Sequence, residues 1–253
     1  MSKMKVNASG LNLRSAPVTE PGNIILVLPR GHEVEALDDA HGQVFREVET
    51  VVSGTTRRGF AAARFLREAM SEQRERLIQG ALTEWNRFNR GTGKETIEPF
   101  TSRVGDYWQA IGENLDGDDV GVPWSAAFIS FIMREARYTN FMFSPAHSKY
   151  IRDSKRKRND GDENAPFWLF RLEEHKPEVG DMICQWRLSP RTFDDLPANF
   201  ASHCDVIVEI DGGIAKAIGG NVGNSVSRTD FSLNDRGFIR PQRNVFAVMR
   251  NNK

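Results

Sequence analysis

A chain of 253 residues, 39% of them hydrophobic, is long enough for one large domain or for a small domain beside a medium one, each with its own core. Its 34 basic and 34 acidic residues leave no formal net charge, which excludes a global field that would draw it to nucleic acid or to an anionic membrane. Two cysteines, Cys184 and Cys204, are too few for a disulfide framework and read as buried thiols of a reducing compartment.

The opening "MSKMKVNASGLNLRS" lacks the apolar run of a secretory leader, and no apolar segment is long enough to span a bilayer. The expectation is synthesis in the cytoplasm without a Sec signal, with export by a dedicated system or release by phage lysis if the protein acts outside. Short strands broken by turn residues come next: "LNLRSAP", "NIILVLPRGHEVEALD", "VFREVETVV" and "RRGFAAARFLR". Alternation in "HEVEAL" and "FREVETV" suits strands with one buried face, and together they predict a small β-barrel over residues 1–68. On "LNLRSAP", "LPRGHEVEAL" and "RRGFAAARFL" the stretch resembles bacterial SH3-like domains, which often bind cell-wall material. It departs from them where Gly42 and Gln43 stand in place of an aromatic residue.

From Ser71 the period becomes helical. Leu77, Ile78, Ala81, Leu82, Trp85 and Phe88 share one face of a helix that Ser71 caps, part of a helical connection over 69–98 that belongs to the second domain. Val104, Tyr107, Trp108 and Ile111 repeat the pattern after Pro99, and in "VPWSAAFISFIMREA" Phe128, Ile129, Ile132, Met133 and Ala136 form the buried stripe. "SPAHSKYI" predicts a further helix with Ser144 as cap and Pro145 at the first helical position. "KRKRNDGDEN", Lys155 to Asn164, reads as a polar loop; it lacks the aromatic or glycine company of a nucleic-acid patch. Strands then return in "GDMICQW", "HCDVIVEID", "GIAKAIGG" and "NVFAVMR", with Asp-Gly-Gly as a hairpin turn. Helices followed by an antiparallel sheet make an α+β domain over 99–253.

Three segments carry residue types suited to chemistry. "PWSAAF" places Ser125 at a helix start, where partial positive charge favours a developing anion. "SHCDVIVEI" places His203 at a strand start as a general base, and "IGGNVGNSV" offers Asn221 to hold the imidazole in the useful tautomer. Trp124 stands as a wall of the cleft or as a purely structural ring. Asp205, on the same strand face as His203, is a weaker candidate than Asn221 to orient it. His147 is either a helix-surface residue or a residue beside the cleft. Cys204 points to the opposite face of its strand, and His32, His41 and His175 read as surface residues among polar turns. "HCD" with His147 matches no metal-ligand spacing, so neither metal nor cofactor is expected.

In that order "PWSAAF", "PEVGDMI", "SHCDVIVEI" and "AIGGNVGNSV" resemble the papain-like cell-wall hydrolases of the CHAP and NlpC groups, over roughly Trp85 to Arg250. The chain also resembles a bacterial family of uncharacterised domains in this group that pair "PWSAAF" with an "AHSKYI"-like helix. The resemblance implies helices packed on an antiparallel sheet and hydrolysis of a peptidoglycan amide bond, as an amidase or endopeptidase, by a Ser125/His203/Asn221 variant of a Cys/His/Asn site. Position 125 holds Ser where the enzymes hold Cys. A hydroxyl needs its proton removed during attack, whereas a thiol ionises near neutral pH. Ser125 is therefore a working nucleophile, the mark of a degenerate hydrolase kept as a wall-binding or effector protein, an introduced change from Cys, or a helix cap. An intracellular peptidase or deamidase is a further alternative. The partners implied are peptidoglycan or a peptide substrate, with an immunity or delivery protein if the chain is an effector, and neither nucleic acid nor membrane.

Overall fold

The computed structural model describes residues 2–37, 43–242 and 244–253. The chain divides into two compact units, Met1–Met70 and Ser71–Lys253. Among the described residues, thirteen strands in two antiparallel sheets and four α-helices give a mixed α+β protein. No helix among them is long and apolar enough to cross a membrane.

The first unit is a seven-stranded sheet of β1 (Ser2–Val6), β2 (Gly10–Arg14), β3 (Ile24–Pro29), β4 (Glu33–Ala36), β5 (Phe45–Val52), β6 (Thr55–Ala62) and β7 (Leu66–Glu68), in the order β3-β2-β6-β5-β4-β1-β7. Its core holds Met4, Val6, Leu11, Leu13, Leu28, Val34, Ala36, Val48, Ala61 and Leu66, the alternate residues of these strands. The predicted run "NIILVLPRGHEVEALD" is broken at Gly31, whose φ of 79° makes a turn between β3 and β4. Strand β1 was not predicted: "SKMKV" has only two apolar positions, Met4 and Val6, and both are buried. Gly42 and His41 lie outside the described residues. His32, expected at the surface, is half-buried with Nε2 2.7 Å from the Thr50 hydroxyl.

In the second unit α1 (Glu72–Arg87), α2 (Phe100–Gln109), α3 (Ser125–Glu135) and α4 (His147–Asn159) precede a six-stranded sheet. Its strands are β8 (Phe167–Phe170), β9 (Met182–Trp186), β10 (Ser202–Asp211), β11 (Ile214–Gly219), β12 (Ser227–Ser232) and β13 (Val245–Asn251), in the order β12-β11-β10-β9-β13-β8. The Ser71 hydroxyl caps α1 by accepting from the Arg74 N–H at 3.2 Å. Gly212 and Gly213, both with positive φ, form the two-residue turn between β10 and β11.

Four expectations need correction. Helix α4 begins at His147, not beside Ser144: the Ser144 hydroxyl accepts from the Ala146 N–H, ahead of the helix, while the Ser144 N–H donates to Ser130 Oγ, which in turn donates to the Ser144 carbonyl, each at 3.1 Å. The Lys155–Asn164 stretch is not all loop, since α4 continues through Asn159. Asp153 pairs with Arg156 at 2.6 Å and with Lys157 at 3.0 Å, and three basic residues suit the negative end of the helix dipole. Strands β8 and β12 went unpredicted because "FWLF" lacks alternation and "SRTDFS" is a polar edge strand. His175 is not a loose surface residue: Nε2 lies 2.7 Å from Oδ2 of the fully buried Asp181. Asp181, from the "GD" of "PEVGDMI", also accepts from Arg74 on α1 and from the Asn251 N–H on β13, and so ties a helix to two strands.

Buried charge fixes the helices as well. Glu84 on α1 accepts both guanidinium arms of Arg103, at 2.8 and 2.7 Å, and the Tyr107 hydroxyl at 2.6 Å. Burial pushes the Glu84 carboxyl upward, but the hydrogen bonds from Arg103 and Tyr107 outweigh it and hold the group below its ordinary range. Tyr107 in turn packs on Trp124 and Phe128, with ring centroids 5.7 and 5.5 Å away, so the α1–α2 clamp braces the start of α3. Glu84→Ala would leave the buried Tyr107 phenol without its acceptor and the half-buried Arg103 with Asp106 alone. Urea unfolding is expected to show a loss of about 3 kcal/mol, and an unchanged midpoint would show that the clamp contributes nothing.

Candidate active site

Ser125 is the first residue of α3, and its position answers whether it serves as a cap. The N-cap is Trp124, which makes no side-chain capping bond. The Ser125 hydroxyl turns away from the helix backbone to meet His147 Nε2 at 2.7 Å. Among the described residues, no hydrogen bond takes the backbone N–H groups of Ser125, Ala126 or Ala127. A helix start left uncapped keeps its first N–H groups and its partial positive charge available at one place.

The imidazole at Ser125 is therefore that of His147 rather than the expected His203. Ser130 on α3 holds Ser144, and three residues later the chain enters α4 with His147 at its first turn, beside the start of α3. His147 Nδ1 is hydrogen-bonded to the Tyr150 hydroxyl, one helical turn on. Burial pushes the His147 pKa well below its usual 6.5, with the charges of His203 and Arg187 adding to the effect, so the ring is neutral near pH 7. Burial likewise raises Tyr150 and keeps it a phenol. In the tautomer whose Nδ1–H donates to the phenol oxygen, Nε2 accepts the Ser125 proton.

His203 stands beside this pair, its ring centroid 5.2 Å from that of His147. Its Nε2 lies 2.8 Å from Asp205 Oδ1, and Asp205 Oδ2 accepts from Gln185 Nε2 at 2.6 Å. The group that orients His203 is thus Asp205, not Asn221. Asn221 lines the same cavity in a left-handed conformation, φ 55°, and among the described residues it is hydrogen-bonded to neither imidazole. Trp124 is not a cleft wall. It is 2% exposed, its indole N–H donates to the buried Glu95 carboxylate, and it packs on Phe88 and Tyr107. The Glu95 N–H donates to the Asn224 carbonyl at 3.1 Å, which links the start of α3 to the turn that carries Asn221.

The glycine pair in "IGGN" has a steric role. A Cβ at Gly219 would overlap Asp205 Oδ1 and stand 2.8 Å from His203 Nε2; one at Gly220 would stand 2.6 Å from Phe128 Cβ. These positions let β11 lie directly against the His203–Asp205 pair and against α3. A cavity of about 430 Å³ opens over Ser125, His147, His203 and Asn221, walled by Pro123, Pro145, Leu188 and Phe200. Such a volume suits a short acyl or peptide segment. Cys184 and Cys204 are free and buried with their sulfurs 3.6 Å apart, and burial raises the Cys204 thiol well above its ordinary value. Among the described residues, no group of three or more His, Cys, Asp and Glu side chains is arranged to hold a metal ion.

Sequence reasoning missed Tyr150, Gln185 and Arg187. Tyr150 stands three residues from His147 on one helix face, a spacing that could have paired them. Gln185 faces His203 across the β9–β10 register, which only strand pairing discloses.

A family profile described as "Uncharacterized protein conserved in bacteria (DUF2272)" matches residues 84–252. No curated protein matches the chain. Among solved structures, NlpC2 from Trichomonas vaginalis aligns over 99% of this chain and 73% of its own at 14% identity and a TM-score of 0.31. NlpC1 from the same organism aligns over 99% and 69% at 13% identity, with the same score.

Two outcomes test this geometry. Gly219→Ala is expected to displace Asp205 and cost about 2 kcal/mol in urea unfolding; full native stability would mean that β11 has room to spare. The native His147 imidazole takes up its proton at lower pH than the unfolded one, whose value is 6.5. Between those two values the unfolded state holds more protons, so stability rises with pH over that window and is lost as pH falls below about 6.5. Urea midpoints measured between about pH 5 and 7 should fall on acidification, and His147→Asn should flatten part of that slope.

Proposed function

The chain belongs to the DUF2272 family, and from the geometry of its site we propose that it is a serine-type amide hydrolase acting on bacterial cell-wall peptidoglycan. One observation carries the reaction class: a serine hydroxyl on an uncapped helix start, 2.7 Å from a buried imidazole that burial keeps unprotonated. Ser125 Oγ attacks the carbonyl carbon while His147 Nε2 takes its proton. The tetrahedral oxyanion faces the free N–H groups of the first turn of α3, and collapse passes the His147 proton to the departing nitrogen. Water activated by the same imidazole then releases the acyl group. His203 is a positioning residue: fixed on Asp205, it packs against His147. Asn221 presents its carboxamide to the substrate from the cavity wall.

The substrate class rests on the resemblance of "PWSAAF", "PEVGDMI", "SHCDVIVEI" and "AIGGNVGNSV" to CHAP- and NlpC-type segments. The likeness of the amino-terminal unit to SH3-like wall binders points the same way; a wall-binding unit would raise the local concentration of bonds to be cut.

Incubation with purified sacculi is expected to release new amino groups, and Ser125→Ala to abolish the release. His147→Ala should lower kcat by about 10²- to 10⁴-fold, with His203→Ala costing less. The reverse ranking would make His203 the base. Intact sacculi, together with no labelling of Ser125 by a fluorophosphonate, would end the hydrolase reading.

A further inference from the structure

Arg187 directly succeeds β9 and lines the cavity with Leu188, beside Ser125 and the two imidazoles. It is exposed, and among the described residues its guanidinium has no hydrogen bond or ion pair. Neighbouring arginines differ: Arg158 and Arg171 pair with Glu174, and Arg191 pairs with Asp195. Among the described residues no acidic side chain lines the cavity, and both oxygens of the nearby Asp205 are taken by His203 and Gln185.

Resting on the hydrolase reading above, we infer that Arg187 is the specificity-determining residue of this site and receives a carboxylate carried by the substrate, a short apolar spacer away from the bond that is cut. A guanidinium presents paired N–H donors that match a carboxylate's two oxygens. Leu188, Phe200 and Pro123 line the cavity with it and fit the aliphatic spacer. A phosphate dianion fits less well, because Arg187 is the one formal cation among the described lining residues and would leave a charge uncompensated. The arrangement also serves the chemistry. The Arg187 charge opposes protonation of His147, which favours the free base before attack. A substrate carboxylate would neutralise that charge on binding and so ease formation of the imidazolium as the serine proton is transferred.

The test compares p-nitrophenyl hemiglutarate with p-nitrophenyl pentanoate, esters of equal carbon count with and without a terminal carboxylate, on the wild type, Arg187→Gln and Arg187→Lys. The expected result is a kcat/KM about tenfold higher for the hemiglutarate. That preference should be lost in Arg187→Gln, partly restored in Arg187→Lys, and weakened by high salt. Equal turnover of both esters, unaffected at position 187, would overturn the inference and leave the hydrolase reading standing. If neither ester is cut, the hydrolase reading fails on these substrates, and calorimetry with glutaramate and glutaramide decides the inference. Tighter binding of glutaramate that Arg187→Gln removes would support it, and equal binding would overturn it.

Discussion

The hydrogen bond between Ser125 and His147 depends on the burial of the imidazole. An exposed ring would be partly protonated near neutrality and would present an N–H, rather than a lone pair, to the hydroxyl. Here His147 is 4% exposed, with Tyr150 on one side, His203 on another and Ser125 in front. Burying an unpaired imidazolium is costly, so the protein keeps the ring neutral. The neighbouring phenol and the Cys204 thiol are held protonated by the same burial, and the run Ser125–His147–Tyr150 is a line of neutral groups joined by hydrogen bonds.

Such a line requires the elements that carry it to stay in place, and the fold supplies a separate tie for each. Trp124 and Glu95 fasten the start of α3 to the loop that bears Asn221; Ser130 fastens the approach to α4; Glu84 and Arg103 lock α1 to α2 behind them. Asp205 is completely engaged by His203 and Gln185, so the only carboxylate beside the imidazoles, among the described residues, has no lone reach toward the cavity. The geometry separates two histidines 5.2 Å apart into different environments, one with a hydroxyl and a phenol and one with a carboxylate. Pairs so divided are how a site assigns different tasks to like side chains.

Much of this was legible in the sequence. The apolar helix after Pro123, the Ser71 cap and the Asp-Gly-Gly hairpin all derive from local periodicity and turn chemistry, which act over a few residues. The identity of the imidazole at Ser125 was not, because it depends on where the chain re-enters after the connection over residues 136–146. That is set by a serine clasp between Ser130 and Ser144 that leaves no periodic mark. The glycine pair was seen as part of a motif, but its reason, room for Asp205 and Phe128, appears only once β11 lies against β10 and α3. Strand β12 escaped because an edge strand needs no apolar alternation: its partner covers one side and solvent the other.

The two thiols lend themselves to a practical use. Cys184 and Cys204 face each other in register on β9 and β10, both at 0% exposure, in the middle strands of the six-stranded sheet. An alkylating reagent reaches them only when the packing over that sheet opens. The rate of iodoacetamide uptake by the intact chain is therefore a clock for opening of the molecule's interior, with no label to be engineered and no competing surface sulfhydryl to correct for.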